Sequence, residues 1–380
     1  MVHVKVLRPP NAEAVWCHPA GSHYDARMSG RTAATLPELC TDLAGAVITL
    51  DSRASTKSYR AIVERLPHAD HTELSAGLVP LIPALGEVAL GNGGLLATLV
   101  AGMIEQGADP LPVLPVLVER LSTGLELAAQ FGVLADKLGD DVTAPTSPEE
   151  YRELRERVVL AAPRAGLTVE EAGEITQAWF TVNDWIPSLL LPLQQKVARQ
   201  ALPERDRLTA AAAGMTPHAE DAAWLFGLLE VLDDEPLLVL HRPTGRAYDL
   251  TISGVGDNFQ LHTLLAATLI GDESRGLLPG EPPEEAWVAA ATDGELMPAG
   301  GIHGRFSLAD ATGETVWNEA RPADIPLFGD HRVIVLDPPP FERSWNLGRA
   351  YPLMRPDVVL NRILPADEAG TWAARVAPAN

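Results

Sequence analysis

Residues 236–271 read PLLVLHRPTGRAYDLTISGVGDNFQLHTLLAATLIG and decide the fold class of this chain. The apolar run at 237–240 is typical of a strand that is covered on both faces. Turn-forming residues follow at 243–245, and apolar and polar residues then alternate from Tyr248 to Ser253. The stretch therefore predicts an antiparallel hairpin.

The hairpin leads through a glycine turn into a predicted helix. Gly254 and Gly256 interrupt the second strand, and Asp257 is a residue type that commonly caps helices. Gln260 stands three residues later, as in a variant of the capping box. The apolar spacing that follows predicts a helix that ends near Gly271.

The same turn has an alternative reading as an anion site. Free N–H groups and the helix dipole converge where a glycine turn meets a helix, so a ligand there would contact Gly254, Gly256 and Asn258. The third glycine of the dinucleotide fingerprint is missing, and Asp257 places a negative charge where a phosphate would lie. Helix capping alone explains these residues.

Composition limits the partners of the chain. Among 380 residues, 51 are acidic and 29 are basic, giving a formal net charge of −22. A surface of this sign repels phosphate backbones and anionic lipids, so we expect no nucleic acid and no membrane as partners. A basic partner remains compatible with the charge. The oligomeric state is not readable from the sequence.

The cysteine count and the N-terminus favour a cytoplasmic protein. Cys17 and Cys40 are too few for a disulfide framework, and we interpret both as free thiols. The first residues, MVHVKVLRPP, lack the pattern of a secretory leader. Cys17 and His18 are adjacent, so their side chains point apart on an extended chain, and a structural thiol is favoured over a nucleophile. The preference for arginine over lysine suggests a bacterial source.

The chain is predicted to be α+β with two domains. Residues 1–143 form a mainly helical domain with a short leading strand, and GDDVTAPT at 139–146 is the linker. Residues 147–380 form an α+β domain, in which helices pack on a mostly antiparallel sheet. That domain comprises helices at 147–232, the hairpin, turn and helix at 236–271, and a strand-rich part at 286–364.

Several local predictions complete this outline. Residues 46–50 form a β-type apolar run, and the glycine-rich residues 91–94 predict a helix break. The break divides the weakly charged stretch 77–104 into two buried helices, each too short to span a membrane. Strands are predicted at 287–291, 304–308, 314–317 and 333–336.

Three groups are candidates for catalysis. If the helix packs over the sheet, His262 and His241 can meet Asp257 at the glycine turn and supply acid–base groups, with His303 lining the same cleft. A lone histidine is more often a structural residue with its hydrogen bonds satisfied, and that reading also explains these histidines. His68 and His71, with Asp70 between them, are three positions apart, a spacing usable by zinc. A solvated helix start explains the same residues. We therefore predict no metal and no cofactor.

Two tryptophans suggest binding instead. Trp317 and Trp345 each stand beside polar residues, as tryptophans at recognition surfaces do, although covering a sheet edge is the more common role of such tryptophans. The sequence thus leaves two hypotheses. The first is a soluble intracellular binding or accessory protein that recognises a protein or a small molecule. The second is an enzyme with a cleft at 254–262.

Overall fold

A computed structural model describes residues 34–139 and 142–378. Helices occupy most of the described residues before 230. In chain order they are α1 (Leu36–Ile48), α2 (Ser52–Arg65), α3 (His71–Leu78), α4 (Leu81–Glu87), α5 (Leu90–Glu105), α6 (Leu114–Ala128), α7 (Phe131–Leu138), α8 (Pro148–Ala161), α9 (Val169–Thr181), α10 (Pro187–Leu190), α11 (Lys196–Gln200), α12 (Arg205–Met215) and α13 (Glu220–Leu229).

The remainder is a mixed sheet with helices beside it. Its elements are β1 (Glu235–His241), β2 (Arg246–Ser253), α14 (Asn258–Leu269), α15 (Glu285–Thr292), β3 (Ile302–His303), β4 (Ser307–Asp310), β5 (Leu327–Phe328), β6 (His331–Asp337), β7 (Ser344–Trp345), β8 (Asp357–Ile363) and α16 (Ala366–Ala373). The strand order is β4-β6-β1-β2-β8, and β5 pairs with β6. Only the β1–β6 pairing within this sheet is parallel. The α+β prediction with a mostly antiparallel sheet is confirmed.

The predicted hairpin is confirmed in its register. β1 and β2 pair antiparallel from Glu235↔Ile252 to His241↔Arg246. Alternate residues of β1 enter opposite cores, with Val239 on the α14 side and Leu240 on the α16 side. Burial on both faces explains why the centre of β1, residues 237–240, is a continuous apolar run.

Two predictions in the helical part are wrong. Residues 46–50 do not form a strand, because α1 continues to Ile48 and buries Val47. The glycine-rich residues 91–94 do not break a helix, because α5 runs through them. A Cβ on Gly93 would lie 2.1 Å from the Trp185 ring, so the glycine permits a close approach between packed segments.

Two predicted strands in the C-terminal part are also wrong. Residues 287–291 lie inside α15, whose alanine-rich sequence favours a helix. Residues 314–317 contribute a single bridge between Ala309 and Thr315. β6 confirms the strand predicted at 333–336. The predicted leading strand, Cys17 and His18 lie outside the described residues.

The helices on both sides of residues 139–146 share one apolar cluster. It runs from Leu36 in α1 to Val231 and also includes Tyr351 and Met354 from the C-terminal part. The division of the chain at 143–147 stays a prediction. Within the described ranges, no helix has both the length and the apolar character needed to cross a membrane.

Candidate functional site

The glycine turn fixes the start of α14 through hydrogen bonds of its own residues. Gly254 has φ +64°, and its N–H donates to the Leu232 carbonyl at 2.9 Å. The Asp257 carboxylate accepts from the Gln260 N–H at 2.7 Å. The Gln260 side-chain oxygen accepts in turn from the Gly256 N–H at 2.8 Å. Asp257 is therefore the helix cap, as the sequence predicted. The predicted capping box is not closed, because the Gln260 side chain bonds to the Gly256 N–H instead of the Asp257 N–H.

Carbonyl groups in the turn at 317–320 accept hydrogen bonds from the other N–H groups at the start of α14. The Asn258 N–H donates to the Ala320 carbonyl at 2.9 Å, and the Phe259 N–H donates to the Asn318 carbonyl at 3.1 Å. The Asn258 amide also donates to the Trp317 carbonyl at 2.9 Å. A phosphate would have to displace these contacts, so the geometry does not favour an anion site at the glycine turn.

The buried polar atoms that lack a described partner at this helix start are hydrogen-bond acceptors. The side-chain oxygens of Asn258 and Asn318 are buried and receive no hydrogen bond within the described part of the chain. Burial raises the pKa of Asp257 to about 7, and the nearby negative charge of Glu319 acts in the same direction. The local chemistry is thus rich in acceptors and negative in character.

His262 lies deep beside this helix start and faces a different segment. Its Nε2 accepts from the backbone N–H groups of Arg305 at 3.1 Å and Phe306 at 3.0 Å. A neutral ring that accepts at Nε2 carries its proton on Nδ1. Burial lowers the pKa of His262 to about 4, and the positive charges of Arg343 and Arg305 contribute. The ring is therefore neutral at physiological pH.

The predicted catalytic groups are not assembled into a proton-transfer pair. Asp257, the N-cap, lies five positions before His262, and helical geometry over five positions gives a separation of about 140° around the axis and about 7.5 Å along it. The His241 Nδ1 is 2.9 Å from the Thr244 hydroxyl, and burial lowers the pKa of His241. His303 is exposed and lies against Trp287, with ring centroids 5.3 Å apart.

The histidines nevertheless gather around one segment, residues 303–306. His262 receives two backbone hydrogen bonds from it, and the rings of His262 and His241 lie 5.9 and 6.1 Å from that of Phe306. His303 begins the segment. This gathering does not include Asp257, and the segment serves as a structural partner of the His262 and His241 rings.

A short two-stranded ribbon positions this segment. β3 and β7 pair antiparallel at Ile302↔Trp345, and the Gly304 N–H donates to the Arg343 carbonyl at 2.9 Å. The chain after β7 is held against α15, because the Arg349 guanidinium donates to the carbonyls of Ala290 at 2.7 Å and Gly294 at 3.0 Å. The ribbon brings two arginines and a tryptophan beside His262.

We name His262, Trp287, Arg305, Arg343 and Trp345 the arginine–tryptophan cluster. The rings of His262 and Trp345 meet edge to face with centroids 5.2 Å apart. The Arg305 guanidinium lies 5.3 Å from the Trp287 ring. The Arg343 guanidinium donates to the Phe306 carbonyl at 3.1 Å. Sequence reasoning found His262 and Trp345 but missed the arginines; the only local signal was Arg343 two residues before Trp345.

The two tryptophans proposed for recognition have different surroundings. Trp317 is 69% exposed, whereas Trp345 is 9% exposed and packs on Phe259 with ring centroids 5.2 Å apart. Phe341, four residues before Trp345, is 64% exposed, and the Arg343 guanidinium lies 5.7 Å from its ring. Trp345 therefore belongs to a buried cluster, and Phe341 and Trp317 supply the exposed aromatic surface.

The helical part carries a shallow cleft of about 590 Å³ at the start of α3. His71 Nδ1 lies 3.2 Å from the Gly107 carbonyl there, and the Asp109 N–H donates to the Ser75 hydroxyl at 2.9 Å. Asp70 caps α3. Across 34–139 and 142–378, no three His, Cys, Asp or Glu side chains are grouped to hold a metal.

The described geometry contains a capped helix start, which is rich in acceptors, and the arginine–tryptophan cluster beside it. Comparisons of the chain with protein-family models, with curated proteins and with solved structures found no match.

Proposed function

We propose that this chain is a soluble intracellular binding or accessory protein, and that it recognises its ligand at the face formed by 302–306 and 341–346. The observation that carries the proposal is the use of the acid–base candidates in structural hydrogen bonds. His262 Nε2 is occupied by two backbone N–H groups, and the Asp257 carboxylate caps α14. Neither group is paired as a nucleophile and base would be.

The proposed face has features typical of recognition surfaces. It presents the exposed Phe341 ring beside the Arg343 guanidinium, and aromatic residues and arginine are enriched at binding interfaces. His303 is exposed on the opposite strand of the ribbon. The sparse cysteines support a reducing compartment.

Native mass spectrometry of the 380-residue chain, purified under mild conditions, tests this proposal. We expect an added mass that is released on denaturation and is reduced in Phe341→Ala. Tyr151→Ala is the matched control, because Tyr151 is a 60% exposed aromatic on α8 in the helical part. Equal retention of the added mass in both variants, or no added mass at all, would contradict the proposal.

One observation supports the alternative of an enzyme at 254–262. Asp257 is half-buried, and its burial raises the pKa to about 7, which suits a general acid or base at neutral pH. The Asp257→Asn variant separates the two ideas, because asparagine still caps a helix but cannot transfer the proton. Loss of a turnover reaction in this variant, with folding intact, would favour the enzyme.

A further inference from the structure

The arginine–tryptophan cluster contains buried donors that have no acceptor. Three N–H atoms are buried and make no hydrogen bond with any described residue: His262 Nδ1, Trp345 Nε1 and Arg305 Nε. His262 is 1% exposed and Trp345 is 9% exposed. Buried donors in folded proteins are almost always paired, so three unpaired donors in one cluster are unusual and require a chemical explanation.

The cluster also carries positive charge, which attracts the same kind of group, an acceptor, as its unpaired N–H donors do. Arg305 and Arg343 both act on the His262 ring as positive neighbours. Within the part of the chain that the structure describes, Arg305 forms an ion pair with Glu281 at 3.9 Å, and the Glu281 side chain is 85% exposed. An exposed ion pair at this distance contributes little, so the positive charge at the cluster is only weakly compensated.

We propose that the arginine–tryptophan cluster binds an oxyanion, a carboxylate or a phosphate group, on the Nδ1–H of His262, the Nε1–H of Trp345 and the two guanidinium groups. Such a group supplies acceptors and negative charge together, and arginine binds both kinds of oxyanion through paired N–H donors. This inference rests on the proposed function, because it names the chemistry that the same face recognises.

The surroundings limit the kind of molecule that carries the oxyanion. The net charge of −22 disfavours a polyanion, so a small ligand or a single terminal group is the expected form. The rings of Trp287, Trp345 and Phe259 form one apolar cluster beside the donors. A flat apolar body attached to the oxyanion therefore fits better than a fully polar one.

Titration of the 15N-labelled chain, followed by NMR of its indole N–H groups, tests the inference. The probes are sodium phosphate, sodium acetate and sodium benzoate in chloride buffer; phosphate against acetate distinguishes the two oxyanions, and benzoate against acetate tests the apolar body. The Trp345 signal is assigned by its loss in Trp345→Phe. We expect this signal to shift with at least one probe, and the indole signals remote from the cluster to stay in place.

Affinity measured by calorimetry gives the second readout. Trp345→Phe removes the donor but keeps an aromatic ring, and we expect affinity for the bound probe to fall about tenfold or more. Arg343→Lys keeps the charge but loses the paired donors, and we expect a similar fall. Trp372→Phe on α16 is the matched control with unchanged affinity. No shift of the Trp345 signal with any probe would overturn the inference and leave ordered water as the acceptor.

The outcomes separate this inference from the proposed function. If Phe341→Ala loses the co-purified mass while Trp345→Phe binds every probe as wild type does, the recognition face stands and the oxyanion inference fails. If the probes bind at Trp345 but the added mass is absent, the anion site stands and the proposed function fails.

Discussion

The first turn of α14 and the arginine–tryptophan cluster lie side by side. The buried polar groups without a hydrogen-bond partner in the described part of the chain are acceptors at the first turn and donors at the cluster. At the first turn the N–H groups of Asn258, Phe259 and Gln260 are all used, and the amide oxygens of Asn258 and Asn318 are left without a partner among the described residues. At the cluster the remaining groups are N–H donors and guanidinium groups. The glycine turn resembles an anion site in sequence, but the cluster has the chemistry of one. Five variants test this difference, in order of expected effect.

Gln260→Leu should have the largest effect on stability. The buried Gln260 side chain accepts from Gly256 and donates to the Ala291 carbonyl at 2.7 Å, so it joins α14 to the end of α15. Losing both bonds leaves two buried backbone groups unpaired, and we expect urea unfolding to report a loss of about 2–6 kcal/mol. The exposed Gln200→Leu is the control, with a change within about 0.5 kcal/mol. Equal effects of the two variants would contradict a structural role for the first turn.

Gly254→Ala should destabilise the fold by about 2–4 kcal/mol, because alanine is strained at positive φ and its Cβ would lie 2.8 Å from the Arg355 carbonyl oxygen. Gly245→Ala in the hairpin turn has a similar φ, +67°, but open space around the new atom. We expect about 1–2 kcal/mol for that control. Thermal unfolding followed by circular dichroism measures both. If Gly254→Ala costs no more than Gly245→Ala, the close contact has no effect on stability.

Asp257→Asn should change how stability depends on pH. The folded state holds the Asp257 proton up to a pKa of about 7, whereas an unfolded aspartate releases it near 3.8. The folded state binds more protons between these values, so this group lowers stability as pH rises from about 4 to about 7. Unfolding in urea at a series of pH values should show a flatter decline in Asp257→Asn.

Glu319→Gln sharpens that test. Removing the neighbouring negative charge should lower the pKa of Asp257 and shift the decline in stability to lower pH, without abolishing it. An unchanged pH profile in both variants would show that the carboxylate is not held in the environment described here.

Phe341→Ala should have the smallest effect on stability. The ring is 64% exposed, and we expect a change within about 0.5 kcal/mol in urea unfolding. The same variant is expected to lose the bound ligand, so its effect falls on recognition and not on folding. A large loss of stability would mean that Phe341 holds the 341–346 segment in place.

Local signals explain which parts of the fold were predictable. The hairpin and the Asp257 cap at the start of α14 depend on contacts between neighbouring residues, and both were predicted correctly. The run at 46–50 and the glycines at 91–94 were misread because packing overrode local preference. Trp185 requires a glycine opposite it in α5, and α1 buries Val47 on its helical face.

The candidate site was less predictable, for a physical reason. His262, Arg305 and Trp345 are distant in the chain, and the pairing of β3 with β7 brings the latter two to His262. No local sequence pattern predicts which backbone N–H groups will donate a hydrogen bond to Nε2 of a histidine. Sequence singled out the tryptophans and histidines as residue types, but not the buried donors that remain unpaired.

The sequence by itself determined the α+β class, the hairpin and the helix caps, because these depend on periodicity and on residues a few positions apart. The tertiary structure decided that the glycine turn is closed by the 317–320 turn and that donors remain at the arginine–tryptophan cluster. Whether a buried polar group finds a hydrogen-bond partner depends on which distant segments come into contact, and those contacts form only in the folded chain.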